Sequence, residues 1–321
     1  MTHFLVTGAA GFIGSHYVRD LLGGPEDIEV TVLDALTYAG DPANLAPVLG
    51  DPRLRFVHGD IADAALVQKL LAPGSVVVNF AAESHVDRSI AAADAFVRTN
   101  VLGTQVLLDA ALTAGARCFV QVSTDEVYGS IEEGSWTEEA PVRPNSPYAA
   151  TKASADLLAL AYARTHGLDV RITRCSNNYG PGQHPEKLIP RFVTLLLAGE
   201  TVPLYGDGGN VRDWLHVSDH CRAIRLVLER GAPGEVYNVG GGTQLTNREL
   251  TGLLLNACGA DWSSVRPVAD RKGHDRRYCV DDSKLRRLGY RPQVPFAQGL
   301  ADTVDRYRLS IDHPLTSPTR K

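Results

Sequence analysis

Short, uninterrupted apolar runs recur at residues 4–7, 30–33, 54–57, 76–80, 118–122 and 170–173, and longer stretches with helical spacing lie between them. That alternation predicts βαβ units and an α/β fold built on a doubly wound parallel sheet. Polar residues do not alternate within several of these runs. Val76-Val77-Val78 is the clearest case, and such strands are the ones helices cover on both faces. A further run at 236–239 is placed to return to the same sheet. From about Ser176 the pattern loosens into Asn177-Asn178-Tyr179-Gly180-Pro181-Gly182 and Tyr205-Gly206-Asp207-Gly208-Gly209, which predicts a smaller, partly interleaved second α/β lobe. The residues from His313 onward are polar and contain proline, and are expected to fray.

Composition narrows the class. With 321 residues, 44% of them hydrophobic and 21% charged, the chain is too apolar to be disordered. It is also longer than the roughly 250–300 residues at which one core stops growing. Lys and Arg number 32 against 37 Asp and Glu, with no basic run of the kind that tracks a phosphate backbone, so nucleic acid is not an expected partner. The five cysteines, Cys118, Cys175, Cys221, Cys258 and Cys279, lie far apart without a CxxC pair. This argues against a metal site and a disulfide framework, and fits a reducing cytoplasm. No leader precedes the first run and nothing approaches about 18 consecutive apolar residues, so neither export nor a membrane span is expected.

Directly after the first run stands Gly8-Ala9-Ala10-Gly11-Phe12-Ile13-Gly14, followed by a helical stretch. Glycines here let the backbone approach a pyrophosphate at the helix N-terminus, where unpaired N–H groups and the dipole favour an anion. A ligand-free glycine-rich turn has the same GxxGxxG spacing. Asp34 adds information, because it closes the second run about twenty residues further on, where a carboxylate accepts from an adenosine ribose and repels a 2′-phosphate. The expected cofactor is therefore NAD rather than NADP. Gly59-Asp60-Ile61 ends the third run, at the edge expected for adenine. The expected lobes are 1–175, joined by 213–240, for NAD, and 176–212 with 241–321 for the substrate.

Tyr148 and Lys152 lie one turn apart in a helical stretch, so both project from one face. A phenol beside an ammonium and a nicotinamide cation is expected to titrate lower and to serve as a base. YxxxK alone is common surface decoration. With the glycine turn and a Ser123-Thr124 strand end it becomes a redox signature. Thr124 is followed by Asp125-Glu126, two adjacent carboxyls at the carboxyl end of a central strand, where open α/β sheets bind ligands. Like charges this close push one proton affinity up, giving one acid and one base.

These strings resemble the extended short-chain dehydrogenase/reductases and, within them, the nucleotide-sugar 4,6-dehydratases. The resemblance covers nearly the whole chain, about residues 4–307. Besides the glycine turn it rests on Asp34-Ala-Leu-Thr-Tyr-Ala-Gly40, Ala81-Ala-Glu-Ser-His-Val-Asp-Arg88, Ser123-Thr-Asp-Glu-Val-Tyr-Gly129, Ser146-Pro-Tyr-Ala-Ala-Thr-Lys152, Cys175-Ser-Asn-Asn-Tyr-Gly-Pro181, Pro185-Glu-Lys-Leu-Ile-Pro190, Arg212-Asp-Trp214 and Arg271-Lys-Gly-His-Asp-Arg-Arg-Tyr278. It implies that Tyr148, supported by Lys152, removes the C4 hydroxyl proton as hydride passes to NAD, with Thr124 bonded to the same hydroxyl. Glu126 then removes the C5 proton, protonated Asp125 donates to the departing C6 hydroxyl, and the hydride returns to C6.

The resemblance also implies NAD contacts at Gly8, Gly11, Phe12, Ile13, Gly14, Asp34, Ala35, Leu36, Thr37, Asp60, Ile61, Phe80, Ala81, Ala82, Glu83, Ser84, Thr99, Tyr148, Lys152 and Asn178. The nucleotide sugar, dTDP-glucose in the first instance, falls to Ser84, Thr124, Asn177, Lys187, Leu188, Ile189, Pro190, Arg191, Phe192, Pro203, Leu204, Tyr205, Arg212, Asn247, Asp270, Arg271, Lys272, Gly273 and His274. Lys187, Arg212 and Arg271 suit a diphosphate. Relatives often carry Lys, Asn and Gly where this chain has Ala35, Asp41 and Ala9. Superfamily members commonly dimerise through two helices per subunit, for which 100–114 and 149–163 are the candidates. Three alternatives stay open: a C4 epimerase, which leaves Asp125-Glu126 unexplained; a dehydratase of a UDP- or GDP-linked sugar; and a non-catalytic NAD-sensing module.

Overall fold

A computed structural model of the chain describes residues 1–271 and 273–312. Its strands are β1 Thr2–Thr7, β2 Ile28–Asp34, β3 Leu54–His58, β4 Val76–Asn79, β5 Cys118–Thr124, β6 Val170–Cys175, β7 Asn177–Tyr179, β8 Val202–Tyr205, β9 Val211–His216, β10 Glu235–Val239, β11 Gln244–Thr246 and β12 Val265–Val268. Seven of them form one sheet in the order β3-β2-β1-β4-β5-β6-β10, with every neighbouring pair parallel. The strand order reverses between β1 and β4, where open α/β sheets leave a crevice beyond the strand carboxyl ends.

Both faces of that sheet are covered, which accounts for the unbroken apolar runs. Val6, Val32, Val78 and Val120 pack with Tyr17 and Val18 of the helix Phe12–Gly23 and with Cys221 and Ile224 of the helix Val217–Arg230. Their sequence neighbours Leu5, Leu33, Val77 and Phe119 point the other way, onto Val67, Leu107, Ala111 and Ala159. Each such fully buried aliphatic side chain contributes about 1.5–3 kcal/mol.

The predicted run at 236–239 is β10, at the sheet edge beside β6. Two further sheets stand apart from that sheet, the three-stranded β11-β9-β7 and the two-stranded β12-β8. β9, Val211–His216, belongs to the first of these although 213–216 fell within the stretch expected at the NAD lobe. A separate core joins Ile189, Phe192 and Val193 to Trp214, Leu250, Leu254, Leu300 and Val304. The candidate dimer helix at 100–114 differs from expectation at its start. Val97–Gly103 is a π-helix and the α-helix runs over Thr104–Ala114. Within the π segment Asn100 is buried, accepts from Glu83 N and donates to Glu83 O and Thr151 Oγ1, so the widened turn ties a loop after β4 to the helix Pro147–His166. No described helix is long and apolar enough to cross a membrane. Residues from 313 onward, where fraying was expected, lie outside the described residues.

Candidate active site

The turn after β1 is closed by contacts that only glycine permits. Gly8 has φ +67°, and a Cβ there would stand 2.6 Å from Ala81 N. A Cβ on Gly14 would stand 2.7 Å from Ala9 Cα and Gly8 O. Gly11 caps the helix Phe12–Gly23 without a side-chain hydrogen bond, so the first helical N–H groups carry no such partner. Ala9 needs no positive φ, since Leu36 (φ +50°) is the one non-glycine described residue in that region.

A cavity of about 320 Å³ opens beside this turn. Every residue expected at NAD lines it except Leu36, whose N–H donates to Asp34 Oδ1 at 2.8 Å. Asp34 Oδ2 accepts from Ala10 N at 2.8 Å, and burial raises its carboxyl affinity for protons against these two donors. Each oxygen keeps a further lone pair, which fits ribose hydroxyls, and the uncapped helix start fits a pyrophosphate. Asp41 caps the short 3-10 helix Pro42–Leu45 and donates its N–H to Ala10 O. Its role is therefore in holding the loop.

The reactive cluster lines the same cavity. Ser146 caps the helix Pro147–His166 through Ala149 N, with proline in its first turn, and this fixes where Tyr148 and Lys152 emerge. Lys152 is buried and its Nζ donates to Val122 O of β5 at 2.7 Å. Burial lowers its proton affinity and Asp156, one turn on, opposes that.

The lowering expected for Tyr148 depends on a nicotinamide cation as well as on Lys152, and the groups of the chain alone act in the opposite direction. The Tyr148 phenol is held well above the usual tyrosine range by burial and then by the Glu126 carboxylate, with Thr124 giving the one opposing hydrogen bond. The chain's own groups do not make it acidic.

Thr124 ends β5, and its Oγ1 accepts from Glu126 N at 3.3 Å, starting a 3-10 turn over Asp125–Tyr128. Asp125 is buried and pushed well above the ordinary carboxyl range, first by burial and then by Glu126 and Asp213. Its Oδ2 has no hydrogen-bond partner among the described residues. Glu126 is half-buried and also raised by burial, but Lys187, Arg212 and Arg271 oppose the shift. Burial is the first cause at both carboxyls; Glu126 adds to the upward push on Asp125, whereas the next influences on Glu126 are the opposing cations Lys187 and Arg212.

A second cavity of about 550 Å³ lies in the smaller lobe and shares Glu126, Asn177, Asn178, Gln183 and Lys187 with the first. Leu188, Ile189, Arg191, Phe192, Pro203, Leu204, Tyr205, Arg212, Asn247, Arg271, Gly273 and His274 line it as expected. Ser84 and Thr124 line the first cavity instead, and Ser84 O accepts from Lys187 Nζ at 3.0 Å. Pro190 is buried in the helix Leu188–Leu197 and does not reach the wall. Asp270 also stands back, accepting from Arg271 N and pairing with His274 Nδ1. Lys272 lies outside the described residues.

Sequence reasoning missed Tyr38, Gln183 and His184 in the first cavity, and His85, Asp87, Ser146, Asp275 and Tyr278 in the second. Most of these sit inside the strings that carry the resemblance, so the strings themselves were the available signal. Gln183 and His184 lie in a loop with no such mark.

Residues 5–303 match the sequence family described as GDP-mannose 4,6 dehydratase. A dTDP-glucose 4,6-dehydratase of Streptomyces griseus is 66% identical over 309 residues, covering 95% of this chain and 94% of its own. One from Streptomyces niveus is 60% identical over 321 residues, covering 98% and 96%. Among solved structures, the dTDP-glucose 4,6-dehydratase DesIV of Streptomyces venezuelae, crystallised with NAD and TDP, superposes with a TM-score of 0.95 at 65% identity over 98% of this chain and 100% of that one. A UDP-glucose 4-epimerase of Thermotoga maritima gives 0.88 at 33% identity over 97% and 100%.

Proposed function

The chain belongs to the GDP-mannose 4,6-dehydratase family, and from that premise we propose that it is an NAD-dependent dTDP-glucose 4,6-dehydratase, forming dTDP-4-keto-6-deoxyglucose by loss of water across C5 and C6. The observation that carries the reading is the Asp125-Glu126 pair, one carboxyl pushed well above its ordinary range beside one whose rise three cations oppose, at the junction of a dinucleotide-shaped cavity and a cation-lined one. An epimerase has no elimination for such a pair to serve. Incubating the purified protein with dTDP-glucose and, separately, UDP-glucose, and measuring 4-keto product, tests the reading. Product from the UDP sugar alone would move the substrate assignment.

NAD, when bound, supplies a hydride acceptor at C4, a hydride donor at C6 and a cationic ring beside Tyr148. The residues of the chain handle protons and position. Tyr148 takes the C4 hydroxyl proton while Thr124 orients that hydroxyl. The resulting ketone acidifies the C5 proton, which Glu126 accepts. Asp125 delivers its proton to the C6 oxygen as water leaves, and Glu126, now protonated, returns a proton to C5 as C6 is reduced. Lys187, Arg212 and Arg271 hold the diphosphate and so fix the sugar against the carboxyls.

Asp34→Ala is expected to weaken NAD by roughly 10- to 100-fold, the loss of one to two charge-assisted hydrogen bonds, and to narrow discrimination against NADP. Titration with both dinucleotides checks this, and unchanged NAD affinity would remove Asp34 from the ribose.

The working unit is read as a homodimer in the cytoplasm. Leu157, 57% exposed on the helix Pro147–His166, and Leu102, 44% exposed in the π segment, are large apolar side chains left exposed on the two candidate stretches. Leu157→Glu is expected to convert a dimer into a 34.6 kDa species in sedimentation at micromolar concentration. A wild-type protein that already sediments at that mass would refute the dimer. All five cysteines are free, in keeping with a reducing compartment.

A further inference from the structure

In the wall of the cation-lined cavity two side chains form a unit that the substrate reading leaves without a role. Asp275 and Tyr278 are both buried, and both line the cavity. The Arg212 guanidinium lies over the Tyr278 ring, 4.3 Å from its centroid. It also donates from Nη2 to Asp275 O at 2.9 Å and from Nη1 to Val211 O at 2.8 Å. The Tyr278 hydroxyl donates to Asp275 Oδ2 and Asn145 Nδ2 donates to Asp275 Oδ1, each at 2.5 Å. Asn145 directly precedes Ser146, the cap of the helix that carries Tyr148. One carboxylate thus joins the aromatic platform under Arg212 to the segment that sets the reactive helix.

We propose that Tyr278 is a positioning residue for the nucleotide diphosphate: its ring holds the Arg212 guanidinium flat against the cavity wall. The inference rests on the reading of Arg212 as a diphosphate ligand. An arginine has four freely turning side-chain bonds, and ordering them on binding lowers affinity. A guanidinium already stacked on a ring and tied to two carbonyls meets the anion with little left to lose. The π face adds attraction for the cation, and more of it in a desolvated site. The effect belongs to binding, so it appears in KM and in diphosphate affinity rather than in kcat.

The test replaces Tyr278 with phenylalanine and then with phenylalanines of increasing ring fluorination. Fluorine drains the π face while keeping the ring's shape, so the whole series retains the packing. Tyr278→Phe is expected to stay within about 3-fold of wild type in KM. The fluorinated series should raise KM for the nucleotide sugar stepwise, to roughly 10-fold, with kcat within about 3-fold. TDP affinity measured by calorimetry should fall in parallel. In an Arg212→Lys background the series should flatten, because an ammonium does not lie on the ring as a guanidinium does. A flat series in the wild-type background, or one that moves kcat and leaves KM, overturns the proposal. If the wild-type protein binds a different nucleoside diphosphate in place of TDP, the substrate reading fails, and the same series run with that diphosphate still decides the role of Tyr278.

Discussion

Glu126→Gln is expected to leave a protein that binds nucleotide sugar and oxidises C4, yet dehydrates about 10²- to 10⁴-fold more slowly, the usual worth of a general base. Glutamine keeps the shape and the hydrogen-bonding capacity of the side chain but cannot take the C5 proton. Tyr148→Phe interrupts earlier, because no group then accepts the C4 hydroxyl proton. Rapid mixing should therefore show reduced cofactor accumulating in the glutamine variant and not in the phenylalanine one. Equal loss of that signal in both would contradict the division between them. The pH dependence has a definite sense. Glu126 works in its ionised form and burial raises its proton affinity. The rate should thus fall as pH drops through a value above the ordinary glutamate one, and this limb should vanish in Glu126→Gln.

Asp125→Asn should separate chemistry from stability. Asparagine preserves the outline and some hydrogen bonding but delivers no proton, so elimination should slow by a factor of the same order while nucleotide-sugar binding and C4 oxidation persist. A 6-fluoro sugar, whose leaving group needs less acid assistance, should recover part of the rate; no recovery while elimination limits turnover would leave Asp125 a positional role only. The stability change runs the other way. A carboxyl whose proton affinity is higher folded than unfolded destabilises the fold above its unfolded value, near 3.8, increasingly as pH rises toward the folded value. Below 3.8 both states are protonated and that cost is absent. Asp125→Asn should accordingly melt higher than wild type at neutral pH and show no such gain in acid, as thermal scans at the two pH values would reveal.

How much of this was legible in the sequence follows the range of the interactions. β1, β4 and β6 were readable because their apolar runs are fully covered on both faces, and burial of that kind is written in consecutive residues. The strands of the smaller lobe, such as β7 and β11 with three residues each, are too short for a period to register. The π segment at Val97–Gly103 was missed because Asn100 makes it worthwhile only through Glu83 and Thr151, partners distant in the chain. At the site, Gly8, Asp34, Tyr148 and the Asp125-Glu126 pair were found from local patterns. Tyr278 and Asp275 were not, because their meaning depends on Arg212 arriving from β9. Spacing likewise placed Lys152 on the same face as Tyr148, but could not say that its ammonium would be bonded to Val122 O.

The cations that oppose protonation of Glu126 are the ones read as the diphosphate clamp, and this ties the base to the nucleotide by thermodynamic reciprocity. An anion seated on Lys187, Arg212 and Arg271 cancels their field at the carboxylate, so Glu126 binds a proton more avidly once the clamp is filled. Lys187, whose ammonium is disfavoured by burial, shifts in the same direction. Nucleotide binding is then accompanied by net proton uptake near the titration range of these groups. The base gains strength when a substrate is in place and stays weaker without one, so a free sugar that wandered into the crevice would meet a poorer catalyst than the same sugar carried on its diphosphate.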